Sequence, residues 1–247
     1  MNILVGISRV PDTATKVAID ETGTAISAKG VKYIVNPYDE YAIEEALQLK
    51  QKHGGTVTAV TVADEGGKET LRSALAMGVD TAILVKDDKG MDSFGIAATL
   101  SELANQDYDL VLLGRQSIDF DSFQMAGLLG ELLGRPSLTV VSKLEIDGQT
   151  VKAERDIEGG KESVTSSLPC VISVQKGIND PRYPKLPDII KAKKKPIEER
   201  APQNLPARVT VTKMEMPPAK SGGVLLGDSA DDIKELVRLL REDAKVI

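Results

Sequence analysis

Four short apolar runs, at residues 3–7, 57–62, 82–85 and 110–113, constrain the fold of this chain more than any other feature. They are rich in Val, Ile and Leu and lack strict alternation, the pattern of strands buried on both faces. Helical patterns fill the gaps. Residues 38–52 place Ile43, Ala46 and Leu47 on one face; Asn36 suits the cap, Pro37 the first turn, and Asp39 and Glu40 the positive dipole end. Residues 68–77 carry Leu71, Ala74 and Leu75 and stop at Gly78. Further helices are expected over about 94–105 and about 122–133. Strands alternating with helices of this length build an α/β fold around a doubly wound, mainly parallel sheet. Crossovers are then right-handed, and ligands sit at the carboxyl ends of the strands.

After Pro136 the pattern changes. Residues 138–146, 150–157 and 162–168 read as an antiparallel hairpin addition with tight turns at Asp147-Gly148 and Gly159-Gly160. Residues 169–174 return as a core strand. Beyond Ile178 the chain is proline, lysine and polar residues, a poor core former that reads as an arm. The arm ends in an amphipathic helix. Asp231 and Asp232 occupy its first turn, Ile233, Leu236, Val237 and Leu240 one face, and Arg238 and Arg241 its end. A helix on such an arm either docks a partner or packs back on its own body.

Composition removes whole classes of chemistry. One cysteine, Cys170, excludes an internal disulfide and a cysteine-based zinc or iron–sulfur site, and one histidine, His53, removes most metal and Ser-His-Asp chemistry. Cys170 follows Pro169 in an apolar strand and reads as a small buried hydrophobe, while His53 stands at a helix end and favours the negative dipole pole. A formal charge of -6 argues against a nucleic-acid partner. Aromatics are 3% with no Trp, so platforms for stacking a base or a flavin are scarce. The start lacks a basic segment ahead of a long apolar one, and no apolar run reaches the ~18 residues of a membrane helix. The expectation is a cytoplasmic protein that is not itself in a membrane.

Three places can meet a nucleotide: the end of the first strand, residues 36–39, and the loop Gly114-Arg115-Gln116-Ser117-Ile118-Asp119-Phe120-Asp121-Ser122-Phe123-Gln124 that opens a helix. Free N–H groups at a helix start cradle phosphate, and Ser117, Ser122 and Gln124 add donors. The loop has neither a G-x-G-x-x-G fingerprint nor a Walker A pattern. Asp119 and Asp121 would repel a phosphate they faced; they are placed to cap N–H groups or bind ribose hydroxyls, and a capped helix start without a ligand is the plain alternative. No positioned histidine completes a catalytic pair with them.

The run from Arg182 to Lys195 is basic in an acidic chain. It reads either as a solvated charge run or as a docking element. In the second reading Leu186, between Pro184 and Pro187, is held outward beside lysines and faces an acidic partner surface.

The chain resembles the β subunit of electron-transfer flavoproteins along essentially its whole length. The resemblance rests on Ala153-Glu154-Arg155-Asp156-Ile157-Glu158-Gly159-Gly160-Lys161-Glu162-Ser163-Val164 with Pro169-Cys170-Val171-Ile172-Ser173 after it. Asn36-Pro37-Tyr38-Asp39 with its acidic helix, Gly114 to Asp119, and Tyr183 to Lys195 agree in order and spacing. It implies a Rossmann-like fold of the adenine nucleotide alpha hydrolase type. It also implies a heterodimer with a larger α subunit that carries most of the hold on a redox-active FAD, and a structural AMP in this chain. By that resemblance AMP is held by Gly6, Asn36, Pro37, Tyr38, Asp39, Val62 and the stretch Ser117, Ile118, Asp119, Phe120, Asp121, Ser122, Phe123, Gln124, Met125, Ala126, Gly127 and Leu128. Partner docking falls to Tyr183, Leu186, Pro187, Ile189, Ile190 and Lys191. Electrons would pass from a dehydrogenase, such as an acyl-CoA dehydrogenase, to the FAD and on to a membrane quinone oxidoreductase, with no catalytic group from this chain. Residues 1–178 would form the nucleotide-binding unit, including the hairpin at 138–168, and 179–247 the recognition loop and partner-wrapping arm. Ser8 replaces a common Lys of the family, and Met125-Ala126 a Thr-Gly pair. A bifurcating branch with a second FAD in this site, and a stand-alone adenine-nucleotide-binding protein, are the competing readings.

Overall fold

The four apolar runs become neighbouring parallel strands in the computed structural model, which describes residues 1–105, 108–219 and 222–247. In chain order the first half comprises β1 (Asn2–Gly6), β2 (Arg9–Pro11), β3 (Tyr33–Val35), α1 (Pro37–His53), β4 (Thr56–Ala63), α2 (Gly67–Met77), β5 (Thr81–Lys86), α3 (Ser93–Ala104), β6 (Leu110–Gly114) and α4 (Met125–Leu133). The second half adds β7 (Ser137–Asp147), β8 (Thr150–Ile157), β9 (Gly160–Ser167), β10 (Cys170–Val174), α5 (Leu186–Lys194), β11 (Glu198–Arg200) and α6 (Ala230–Arg238).

The main sheet runs β11-β5-β4-β1-β6-β10-β7-β8-β9. Pairing is parallel from β11 through β7 and antiparallel along β7-β8-β9. Successive residues of a strand point to opposite faces, and here both faces are covered. Ile3, Val5, Leu110 and Leu112 pack with Ile43, Ala46 and Leu47 of α1 and Leu71 of α2. Leu4, Val111 and Leu113 pack on the other side with Leu100 and Leu103 of α3 and Leu129 of α4. That is why the runs do not alternate with polar residues. Cys170 is fully buried in β10, and burial pushes its thiol up to about 12.

Several local expectations need correction. The fourth helix begins at Met125 rather than near 122, because Asp121 (φ 52°) and Phe123 (φ 56°) sit in the left-handed region, where a helix cannot continue. The second hairpin turns at Glu158-Gly159, with Gly160 already paired to Ile157; Gly159 (φ 80°) takes the left-handed conformation that the turn requires. The small antiparallel ribbon β2–β3 carries no alternation long enough to announce it. Composition also hides α5 and β11, the latter closing the outer edge of β5.

Residues 201–247 differ in kind. None of those described is buried, and Ile233, Leu236 and Val237 of α6 lie exposed. The helix is nonetheless well started: Ser229 Oγ accepts from Asp232 N–H, and Asp232 returns the bond to Ser229 N–H, a reciprocal cap.

Candidate functional site

The strand order reverses at β1, which has β4 on one side and β6 on the other, and a crevice at the carboxyl ends of such strands is where open α/β sheets take ligands. Gly6 ends β1, Val62 lies near the end of β4, and the 114–124 loop leaves β6. The start of α1 is wedged between them.

Asn36 occupies the cap position but makes no side-chain cap. Its amide instead spans to the loop: Nδ2 donates to Gln116 O at 2.8 Å, and Oδ1 accepts from Ile118 N–H at 3.2 Å. Asp39, read as a dipole partner, is buried and ties two strand ends together. It accepts from Ser8 N–H at 2.7 Å and from Gly114 N–H at 2.9 Å. Burial raises its carboxyl to about 7, against the opposing pull of those N–H groups.

Tight glycines make this knot possible. A Cβ on Gly114 would lie 2.4 Å from Asp39 Oδ1 and 2.6 Å from the Tyr38 carbonyl carbon. A Cβ on Gly6 would lie 2.5 Å from Leu113 Cδ2. The guanidinium of Arg115 stacks between Tyr38 and Phe123, 4.9 Å from each ring. Its Nε and Gln116 Oε1 are buried without a hydrogen-bond partner among the described residues.

The remaining loop residues fall into two groups. Asp119, Phe120, Asp121, Ser122, Phe123 and Gln124 are exposed along the loop. Neither carboxylate caps α4, whose cap position is Gln124 with no side-chain bond; the capping role considered for Asp119 and Asp121 is therefore not realised. Met125, Gly127 and Leu128 line the first turn, whereas the Ala126 side chain is turned into the core, leaving only its backbone to face a ligand.

The docking candidates lie elsewhere, past the sheet. Leu186 is 70% exposed and Tyr183 94%, with Ile189 and Ile190 also exposed and Lys191 beside them. Leu186 and Pro187 open α5, so the proline-flanked turn is in fact a helix start. Its approach is anchored by residues the sequence did not single out. Arg182 makes a two-pronged contact with buried Glu44 (2.7 and 2.9 Å), and Asn179 Nδ2 donates to Glu45 at 2.9 Å and to Tyr41 O at 3.1 Å. Burial raises Glu44, but the Arg182 bonds outweigh it and leave the carboxyl below its ordinary range. Burial leaves Glu45 raised. Adjacent glutamates on a helix read as a solvated face, so only the fold could reveal them.

The Asp39 shift has a measurable sign. An acid with its folded value near 7 and its unfolded value near 3.9 adds stability below about pH 4 and loses it as pH rises through about 7. Stability should therefore fall by on the order of 2 kcal/mol between pH 5 and 8 from this residue, and Asp39→Asn should lack that component. Equal declines in urea-unfolding free energy for both proteins would refute the assignment.

No described helix is long and apolar enough to cross a membrane. The family model of the electron transfer flavoprotein domain matches residues 24–221. The chain is 46% identical over 259 aligned positions to the electron transfer flavoprotein subunit beta of Bacillus subtilis (strain 168), with all of both chains covered. It is 38% identical to the Bradyrhizobium diazoefficiens subunit, again over the whole of both chains. Against the Homo sapiens subunit it is 36% identical, with 98% of each covered. Matches of this extent, on a doubly wound sheet with the characteristic hairpin, place the chain in the electron transfer flavoprotein family as a β subunit.

Proposed function

We propose that this β subunit holds AMP in the crevice between β1 and β6 and acts in the cytoplasm as the docking half of a heterodimeric electron carrier. Its α partner carries most of the hold on the FAD. Electrons enter from primary dehydrogenases such as acyl-CoA dehydrogenases and leave to a membrane quinone oxidoreductase. Residues 1–178 serve the nucleotide, and 179–247 serve recognition and the α subunit.

The observation that carries the nucleotide reading is the pinned loop between Gly114 and α4. Asn36 and Asp39 hold its first half in place, and it delivers the uncapped N-terminus of α4 to the crevice. Such a terminus favours a phosphate. The unpartnered Arg115 Nε donor and Gln116 Oε1 acceptor suit a polar ligand. The Glu158-Gly159-Gly160-Lys161 hairpin and the Leu186 segment resemble the AMP-holding branch rather than the bifurcating one. The protein itself supplies no electron acceptor in this reading; it binds, orients and presents.

The test is to denature the purified heterodimer and identify the released nucleotides by mass. AMP beside FAD in equal amounts is expected. Two FAD per heterodimer and no AMP would overturn the reading in favour of the bifurcating branch.

A further inference from the structure

The helix that carries Leu186 is short and poorly buried. It has nine residues, of which only Ala192 is buried. A helix of this length is marginal on its own in water, so contacts beyond its apolar face must hold it. At its carboxyl end Arg72 of α2 reaches across: Nη1 donates to the carbonyl oxygens of Ala192 and Lys195. These belong to the carboxyl end, where Ala192 O also accepts the Lys195 N–H at 3.2 Å and the dipole favours a cation. Lys195 Nζ in return donates to Val79 O at 2.8 Å, just past the end of α2. At the other end the Arg182–Glu44 contact fixes the chain before it enters α5.

We propose that Arg72 is a positioning residue for partner docking, closing a two-ended clamp with Arg182 that makes Leu186 a rigid anchor rather than the tip of a tether. This rests on the docking reading above. The two guanidinium groups grip the chain four residues before Leu186 and six and nine after it. Every exposed apolar side chain of the segment lies between those grips. Tyr183, Leu186 and Ile190 can point outward only because the backbone beneath them is held by polar contacts instead of by their own burial. An ordered anchor meets its partner without first losing conformational freedom, which lowers the cost of association. Arg72 touches no partner in this arrangement and acts only through α5.

The experiment uses the intact heterodimer with an acyl-CoA dehydrogenase as electron donor. Arg72→Gln keeps a polar N–H donor on a shorter, uncharged side chain and cannot bridge two carbonyls as a cation. It is expected to raise the KM for the carrier about tenfold while kcat stays within about twofold, the signature of lost uniform binding. Amide hydrogen exchange should accelerate across 186–195 and remain unchanged in α1 and β1, and Arg72→Lys should recover part of both effects. Leu186→Ala is the companion variant. If it raises KM while Arg72→Gln changes neither KM nor exchange, the clamp is refuted and the docking reading stands. If Leu186→Ala leaves KM unchanged, the docking reading fails, and with it the functional role of Arg72. Accelerated exchange throughout the chain in Arg72→Gln would mark general loosening and also overturn the proposal.

Discussion

Replacing Gly114 with alanine is expected to lower the unfolding midpoint by about 6–12 °C, the equivalent of about 3 kcal/mol in a chain of this size, and to strip the nucleotide. The added methyl would overlap Asp39 Oδ1 and the backbone of Tyr38, at 2.4 and 2.6 Å. Neither neighbour can give way cheaply. The Tyr38 atom is main chain, and Asp39 is buried with its two oxygens committed to Ser8 and Gly114. Relief requires α1 to move away from β6, which breaks the Gly114 bond and the Asn36 grip on the loop together. Gly160→Ala is the control, because nothing lies within 4 Å of its would-be Cβ. It should change stability by less than about 0.5 kcal/mol. Thermal unfolding and nucleotide content of the two variants decide the matter; a Gly114→Ala midpoint within about 2 °C of wild type would mean the knot is looser than these distances require.

Ending the chain after Arg200 should weaken association with the α subunit by at least about a thousandfold, roughly 4 kcal/mol. The deleted segment exposes Val209, Val211, Val224, Leu225, Ile233, Leu236 and Val237. Covering one such side chain fully contributes about 1.5–3 kcal/mol, so a partner that covers only a few reaches that figure. Among the described residues, the arm's hydrogen bonds to the body lie at the surface. Gln203 meets Glu102, the amides of Arg208 and Val209 meet Asp92, and Met214 N–H meets Gly23 O. Arg208 also stacks on Phe94, 3.4 Å from the ring centre. Surface contacts of this kind add little to stability. The truncated body keeps β11 on its edge and should retain its far-ultraviolet spectrum, while titration calorimetry records the lost affinity. Wild-type affinity in the truncated chain would remove the arm from the interface.

What the sequence made legible follows from the range of the forces involved. Runs such as Leu110-Val111-Leu112-Leu113 declare a strand buried on both faces because each residue must be apolar whichever way it points. The crevice was expected from a topological rule together with the family resemblance. Its construction was not. Asn36 obeys local statistics for a cap, yet its amide is used 80 residues away at Gln116, and no local pattern encodes that choice. Asp39 looked like one more acid in a first helical turn; only burial and two distant N–H groups make it the knot between β1 and β6. The α5 helix was hidden for the opposite reason. Its sequence offers one buried residue and many lysines, and the contacts at its two ends, from Arg72 and Arg182, come from parts of the chain that local periodicity does not encode.

The position of β10 has a consequence for how this molecule can be watched. Among the described residues, strands β5, β4, β1 and β6 do not pair directly with the meander β7–β9; in the sheet β10 joins the two groups, and Cys170 is its first residue. The chain's single thiol therefore sits on the seam between two halves of a sheet, sealed from solvent and kept protonated by its surroundings. Alkylation there requires the layer packed over that face, α1 among it, to open, so its rate is a clock for that opening, running inside the native protein without an added label.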